Sequence, residues 1–341
     1  MPKISLVVCL YKERDFLERL LLNAEGCYDD LVVVHDGREE KDESGKVETL
    51  KSKILYGDGW KSPEELSLKE PQAPPIELAQ DYADLPADSP MPTGYRLATG
   101  NPRIGSIHEL VVKYGGRFYE GPRCYQQEPH WPFAWWAAKH EWILRLDADE
   151  ILSKDMQTWL KHFSSLEEPE LSVSGFTCIW PPFDGNCEVT IRSPDWRPFL
   201  ISKKRFCCLG LAEQGPIPDV RWKKTGLILH HHPQRKSYGV GNLIFRKQAY
   251  LWRKLIALSL LNTPLELPRW RWDSPEWPLH WEAIRRAPIK TGLKRAIPSF
   301  PRKLHSCIKN SWDFLPEEAI ASALHQLLMP LAYVWFRRFK Q

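Results

Sequence analysis

Three carboxylates fall within four residues, Asp147-Ala148-Asp149-Glu150, directly after the apolar run Trp142-Ile143-Leu144-Arg145-Leu146. A short run of that kind fits a strand buried on both faces of a sheet. Its end is a poor place to put charge for stability alone. If the chain stays extended, Asp147 and Asp149 point to one side, about 6.5–7 Å apart. Two hard oxygen ligands at the carboxyl end of a buried strand suit Mg²⁺ or Mn²⁺ holding a diphosphate. The bland alternative is an acidic turn in which Asp149 or Glu150 caps the next helix.

Positioning those acids requires a sheet, and the flanking sequence supplies one. Ile4–Leu10 is rich in β-formers, Tyr11-Lys12-Glu13-Arg14 makes a turn, and Asp15 is placed to cap a helix carrying Phe16, Leu17, Leu20 and Leu21 on one face. Leu31-Val32-Val33-Val34 is a second buried strand, ended by the polar turn His35-Asp36-Gly37. Strand, helix and strand in that order make a βαβ unit. From Arg38 to about Ile104 the periodicity lapses and prolines recur, which reads as an ordered insertion, such as a lid over a site, or as a partly disordered stretch. Ser106–Tyr114 has capping-box spacing (Ser106, Glu109) and a Gly115-Gly116 stop; Arg117-Phe118-Tyr119 follows as a strand, and a helix begins after Pro132. Beyond Leu152 the pattern turns β-like at Val173–Trp180, Phe199–Ser202 and Leu227–Leu229, and helical spacing returns at Phe245–Leu261. The expected fold is α/β: a mixed sheet with helices on both faces, its ligand crevice at the strand ends.

Other candidate groups lie later in the chain. His230-His231-His232-Pro233 follows an apolar strand, so alternate imidazoles face one side; an exposed polar strand end is the other reading. Arg235 and Lys236 could contact a diphosphate or form a solvated basic turn.

The net charge of +4 is unevenly spread. From Arg246 onward there are 17 Lys/Arg against 7 Asp/Glu, leaving 30 against 36 before it. A basic C-terminal quarter calls for an anionic partner, acidic lipid or nucleic acid, or is a solvated face. Its Trp270, Trp272, Trp277 and Trp281 are interleaved with Arg269, Arg271, Arg285 and Arg286, and Ala319–Phe339 fits an interfacial or packed helix better than a bilayer span. The eight cysteines show no C-x-x-C pair, so they read as reduced thiols of a cytoplasmic protein. Ile4–Leu10 lacks a basic leader and a small-residue cleavage site and reads as a strand, not a signal peptide.

A strand followed by Tyr11-Lys12-Glu13, a second ending in His35-Asp36-Gly37 and a later one ending in Asp147-Ala148-Asp149-Glu150 resemble the GT-A glycosyltransferases, specifically family 2. The resemblance covers Ile4–Gly37 and about Ser106–Leu152 well, and the chain to His232 more loosely. It implies a catalytic domain over 1–245, with an insertion at about 38–104, followed by a helical region over 246–341. It also implies a nucleotide-sugar donor across the strand ends. Tyr11 would lie against the base with Glu13 nearby, Asp36 would accept a hydrogen bond from base or ribose, and Asp147 would meet ribose or metal. Asp149 would ligate Mn²⁺ or Mg²⁺, with His230 or His232 completing the shell and Arg235 reaching the diphosphate. Arg197-Pro198-Phe199-Leu200, followed by Leu211-Ala212-Glu213-Gln214, makes Glu213 the implied catalytic base of an inverting transfer to a glycan or lipid-linked acceptor. The family often has two consecutive acids where this chain has His35-Asp36.

The expected protein is therefore cytoplasmic or peripheral on the inner membrane face, with no nucleic acid partner. Two alternatives stand beside it. A sugar-nucleotidyltransferase would share the topology, but the Gly-rich, Arg-containing loop that cradles a triphosphate does not follow the first strand. A nucleic-acid-binding protein would use the Trp/Arg tail and need none of the acids.

Overall fold

The computed structural model describes residues 1–39, 81–92, 94–122, 127–166, 172–181, 183–184, 187–188, 195–210, 215–232, 269–271 and 286–309, with seven single positions between 320 and 334. Its strands are β1 (Ile4–Leu10), β2 (Asp30–His35), β3 (Arg96–Leu97), β4 (Arg117–Glu120), β5 (Trp142–Arg145), β6 (Glu150–Leu152), β7 (Gly175–Trp180), β8 (Phe183–Asp184), β9 (Cys187–Glu188), β10 (Asp195–Ser202), β11 (Phe206–Leu209), β12 (Ile217–Pro218), β13 (Trp222–His231) and β14 (Arg269–Trp270). Helices among the described residues include α1 (Arg14–Asn23), α2 (Ile107–Lys113), α3 (Trp131–Ala137), α4 (Lys154–Ser165) and α5 (Pro288–Lys309).

Nine strands form one mixed sheet in the order β3-β4-β2-β1-β5-β10-β7-β13-β6. β4, β2, β1 and β5 run parallel, and β10 joins β5 antiparallel. From β1 the order proceeds through β2 to β4 on one side and starts again with β5 on the other. The switch point of this sheet therefore lies between β1 and β5, where open α/β sheets bind ligands at the carboxyl ends of their strands.

Residue alternation along β1 divides the core. Leu6 and Val8 join a cluster with Leu17, Leu20 and Leu21 of α1, Leu110 and Val111 of α2, and Leu160 and Phe163 of α4. Val7 and Cys9 join the opposite cluster, with Phe133 and Trp135 of α3, Phe206 and Trp270. Both faces of the parallel strands are covered, as their continuous apolar sequences require.

Three local features sharpen the expectation, each with a simple cause. Glu13, not Asp15, stands at the N-cap of α1, and Asp15 falls in its first turn, where a carboxylate suits the helix dipole. Part of the proline-rich insertion is built into the core: Tyr82 and Tyr95 are buried against Phe133, and Tyr82 N–H donates to the Arg269 carbonyl. Trp270, expected in a basic tail, is buried on Trp135 and Phe206 and pairs across to Cys208. Ser106 does cap α2, accepting from Glu109 N–H at 2.8 Å.

Residues 40–80, the Phe245–Leu261 segment and most of Ala319–Phe339 lie outside the described residues. Among the described residues, no helix is long and apolar enough to cross a membrane. Cys9, Cys27, Cys178, Cys207 and Cys208 are free and buried.

Candidate functional site

The acidic run sits beside the switch point, but not on an extended strand. Leu146 N–H still reaches the Val7 carbonyl, 3.3 Å away; then Glu150 N–H closes onto the Asp147 carbonyl at 3.1 Å and the chain turns into β6. Strand alternation thus ends before Asp147 and cannot set the relation of the two aspartates. Nor are the acids helix caps. Ser153 caps α4, accepting from Met156 N–H at 3.3 Å.

The three carboxylates meet three environments. Glu150 is fully buried and accepts from Asp147 N–H, from Trp180 Nε1 and, as an ion pair, faces Arg197, each at 2.7 Å. Asp147 faces the other guanidinium nitrogen of Arg197 at 2.7 Å, while its Oδ1 is buried without a hydrogen-bond partner among the described residues. Asp149 keeps 27% of its side-chain surface exposed, with Oδ2 at 3.3 Å from His231 Nε2. One arginine clamps two acids, and the third is left open. Behind them Arg145 lies 3.8 Å over the Trp131 ring.

Burial would raise the Asp147 pKa, but Arg197, and then Arg145, outweigh it and hold the group below the ordinary carboxylate value. Glu150 goes the other way: burial pushes it up to about 7, helped by the charges of Asp147 and Asp149 and opposed by Arg197. Between pH 4.5 and 7 the folded chain therefore holds a proton on Glu150 that the unfolded chain does not. Stability from this group is complete below 4.5 and is lost as pH rises through 7. His35, lowered by burial to about 4, acts in the opposite sense between 4 and 6.5. The melting temperature of wild type minus that of Glu150→Gln is expected to fall from pH 5 to pH 7.5, since His35 is common to both. A flat difference would refute the assignment.

The remaining sequence candidates gather around the same strand ends with different freedom. Tyr11, just past β1, lies 5.5 Å from the His35 ring, and its N–H donates to the Glu13 carboxylate at 2.6 Å. Burial raises Glu13, and Asp149 adds to the rise, so the two acids sense one another. Asp36 is buried, with Oδ1 3.0 Å from His130 Nε2; Nδ1 of that histidine meets Tyr95 OH at 3.1 Å. One Asp36 oxygen thus anchors a buried histidine. The pairing of β13 with β6 sets His231 opposite Glu150 and His230 opposite Ile151. Alternation is kept, with the His230 and His232 rings 6.3 Å apart, but the ring brought to Asp149 is His231. His232, expected with His230 as a metal ligand, contributes a backbone N–H to the Asp149 carbonyl, at 2.9 Å. Glu213 and Arg235 lie outside the described residues.

Sequence reasoning passed over Arg197, Trp180 and His130 as site residues. Arg197 had a usable signal, a lone cation in a strand with apolar neighbours, which needs a buried anion. Trp180 and His130 had none, since their partners are distant in sequence. A polar hollow of about 360 Å³, lined in part by Glu39, Arg96, Arg103, His108 and Glu120, opens near the ends of β2 and β4, on the same edge of the sheet as the acids.

Among the described residues, no group of three His, Cys, Asp or Glu could hold a metal unaided. Mg²⁺ or Mn²⁺ on a nucleotide needs less, commonly one or two carboxylates with phosphate and water oxygens. Asp149, with His231 beside it, fits that smaller demand.

No protein-family model matches the chain, and no curated protein matches it.

Proposed function

We propose that this chain is a metal-dependent, inverting glycosyltransferase of GT-A type, moving a sugar from a nucleotide-sugar donor to a glycan or lipid-linked acceptor. The observation that carries the reading is the divided acidic turn at the switch point: Asp147 and Glu150 are fixed by Arg197, while Asp149 is left partly exposed. Burying Glu150 beside two other acids costs stability, and a binding role for the open carboxylate accounts for the expense.

Breaking the bond between sugar and diphosphate leaves negative charge on the leaving group and oxocarbenium-like character on the sugar. A bound Mn²⁺ or Mg²⁺ would supply Lewis-acid stabilisation of that leaving group. Asp149 would hold the cation. Asp147, kept ionised by Arg197, would meet ribose or metal, and the Tyr11 ring would border the base. The resemblance adds Glu213 as the base that takes the acceptor proton and Arg235 as a diphosphate contact.

Calorimetric titration with nucleoside diphosphates tests the reading, followed by a donor panel scored for metal-dependent sugar release. Mn²⁺ is expected to tighten binding of at least one nucleotide by about tenfold or more. Equal affinities with and without the metal for every nucleotide, or none at all, would overturn it.

A further inference from the structure

Helix α5 carries its polarity the wrong way round for a helix buried by its apolar face. Over Pro288–Lys309 it has six Lys/Arg (Lys290, Lys294, Arg295, Arg302, Lys303, Lys309) and no Asp or Glu. At about 100° per residue, Ile289, Leu293, Ile297, Phe300 and Leu304 fall within an arc of about 80°. The first three of these are exposed, by 51%, 43% and 70%, whereas Gly292, on another side of the helix, is buried. Lys290 and Lys294 are also exposed, on one flank of the apolar arc.

We infer that α5 is a membrane-surface helix that lies flat on an anionic leaflet with the Ile289, Leu293 and Ile297 stripe in the acyl boundary. The charge decides the occupant. An apolar stripe alone would accept any hydrophobic partner, but a stripe flanked by the exposed Lys290 and Lys294, on a helix whose sequence holds six Lys/Arg and no acid, suits a dense negative surface. Apolar side chains inserting while flanking cations meet phosphate headgroups is how interfacial amphipathic helices hold a bilayer. The two internal prolines, Pro298 and Pro301, fit such a place, because the carbonyls they leave unpaired can be hydrated at a surface. The inference concerns where the protein works and does not depend on the sugar-transfer reading.

The test is co-sedimentation of the full chain with phosphatidylcholine vesicles, with and without phosphatidylglycerol. Binding is expected only with the anionic lipid, and 0.5 M salt should weaken it, a concentration at which the screening length is only about 4 Å. Two variants separate the contributions: Ile289→Ser/Leu293→Ser/Ile297→Ser and Lys290→Gln/Lys294→Gln. Each should weaken binding by about tenfold or more, with melting temperature and nucleotide titration unchanged because all five residues are exposed. No binding by the wild type, or binding by either variant equal to it, overturns the inference. So does tighter binding to a single-stranded oligonucleotide than to the vesicles, the outcome for a nucleic-acid surface. The unchanged nucleotide titration keeps a failure here distinct from a failure of the proposed reaction.

Discussion

Asp149→Asn is expected to fold like the wild type and to lose metal-dependent sugar transfer by about 10²–10³-fold. The substitution keeps size and an oxygen acceptor but removes the charge that a hard cation requires. Stability should barely change, because Asp149 is the partly exposed member of the acidic turn and its ion-pair partner His231 is 3.3 Å away. Part-exposed pairs of this sort contribute little. Removing one carboxylate beside Glu150 and Glu13 also relieves repulsion, since its charge raises both. Nucleotide affinity in Mn²⁺ should drop toward the metal-free value while affinity without metal is preserved. Parallel measurement of unfolding and transfer separates these effects. A variant with full activity would remove Asp149 from the chemistry, and one that is both inactive and unfolded would show that the residue is structural.

Most of the scaffold was legible in the sequence because its signals are local. Ile4–Leu10 and Asp30–His35 are continuous apolar runs, and strands covered on both faces leave that pattern. Ser106 and Glu109 specify a helix start within one turn. What could not be read depends on distant partners. The Asp36–His130 pair joins residues 94 positions apart, and the Arg197 clamp brings β10 to a turn 47 residues earlier, by the difference of 197 and 150. The placing of His231 toward Asp149 turned on the register of β13 against β6, a single-residue choice that exchanges the faces of a strand. Tyr82 and Tyr95, in a stretch without periodicity, belong to the core because their rings pack on α3 and not because their neighbours alternate.

Arg197→Met should be the most destabilising change at the site, costing about 3–5 kcal/mol near neutral pH. The guanidinium faces Asp147 and Glu150, each at 2.7 Å, and only 13% of its side chain is exposed. Removing it leaves two acids at close quarters, one fully buried, without their main counter-charge. Glu150 can respond by staying protonated to higher pH, so the cost should be smaller at pH 5 than at pH 8. Adding Glu150→Gln should recover part of the loss, because a neutral amide needs no counter-ion and the two changes share one contact. Arg197→Lys should fall in between, since a point charge cannot span both carboxylates as the planar fork does. Urea unfolding at the two pH values decides the matter: a loss below about 1 kcal/mol at pH 8, or one that does not depend on pH, would mean that Arg197 is not what fixes the acidic turn and leaves Asp149 available.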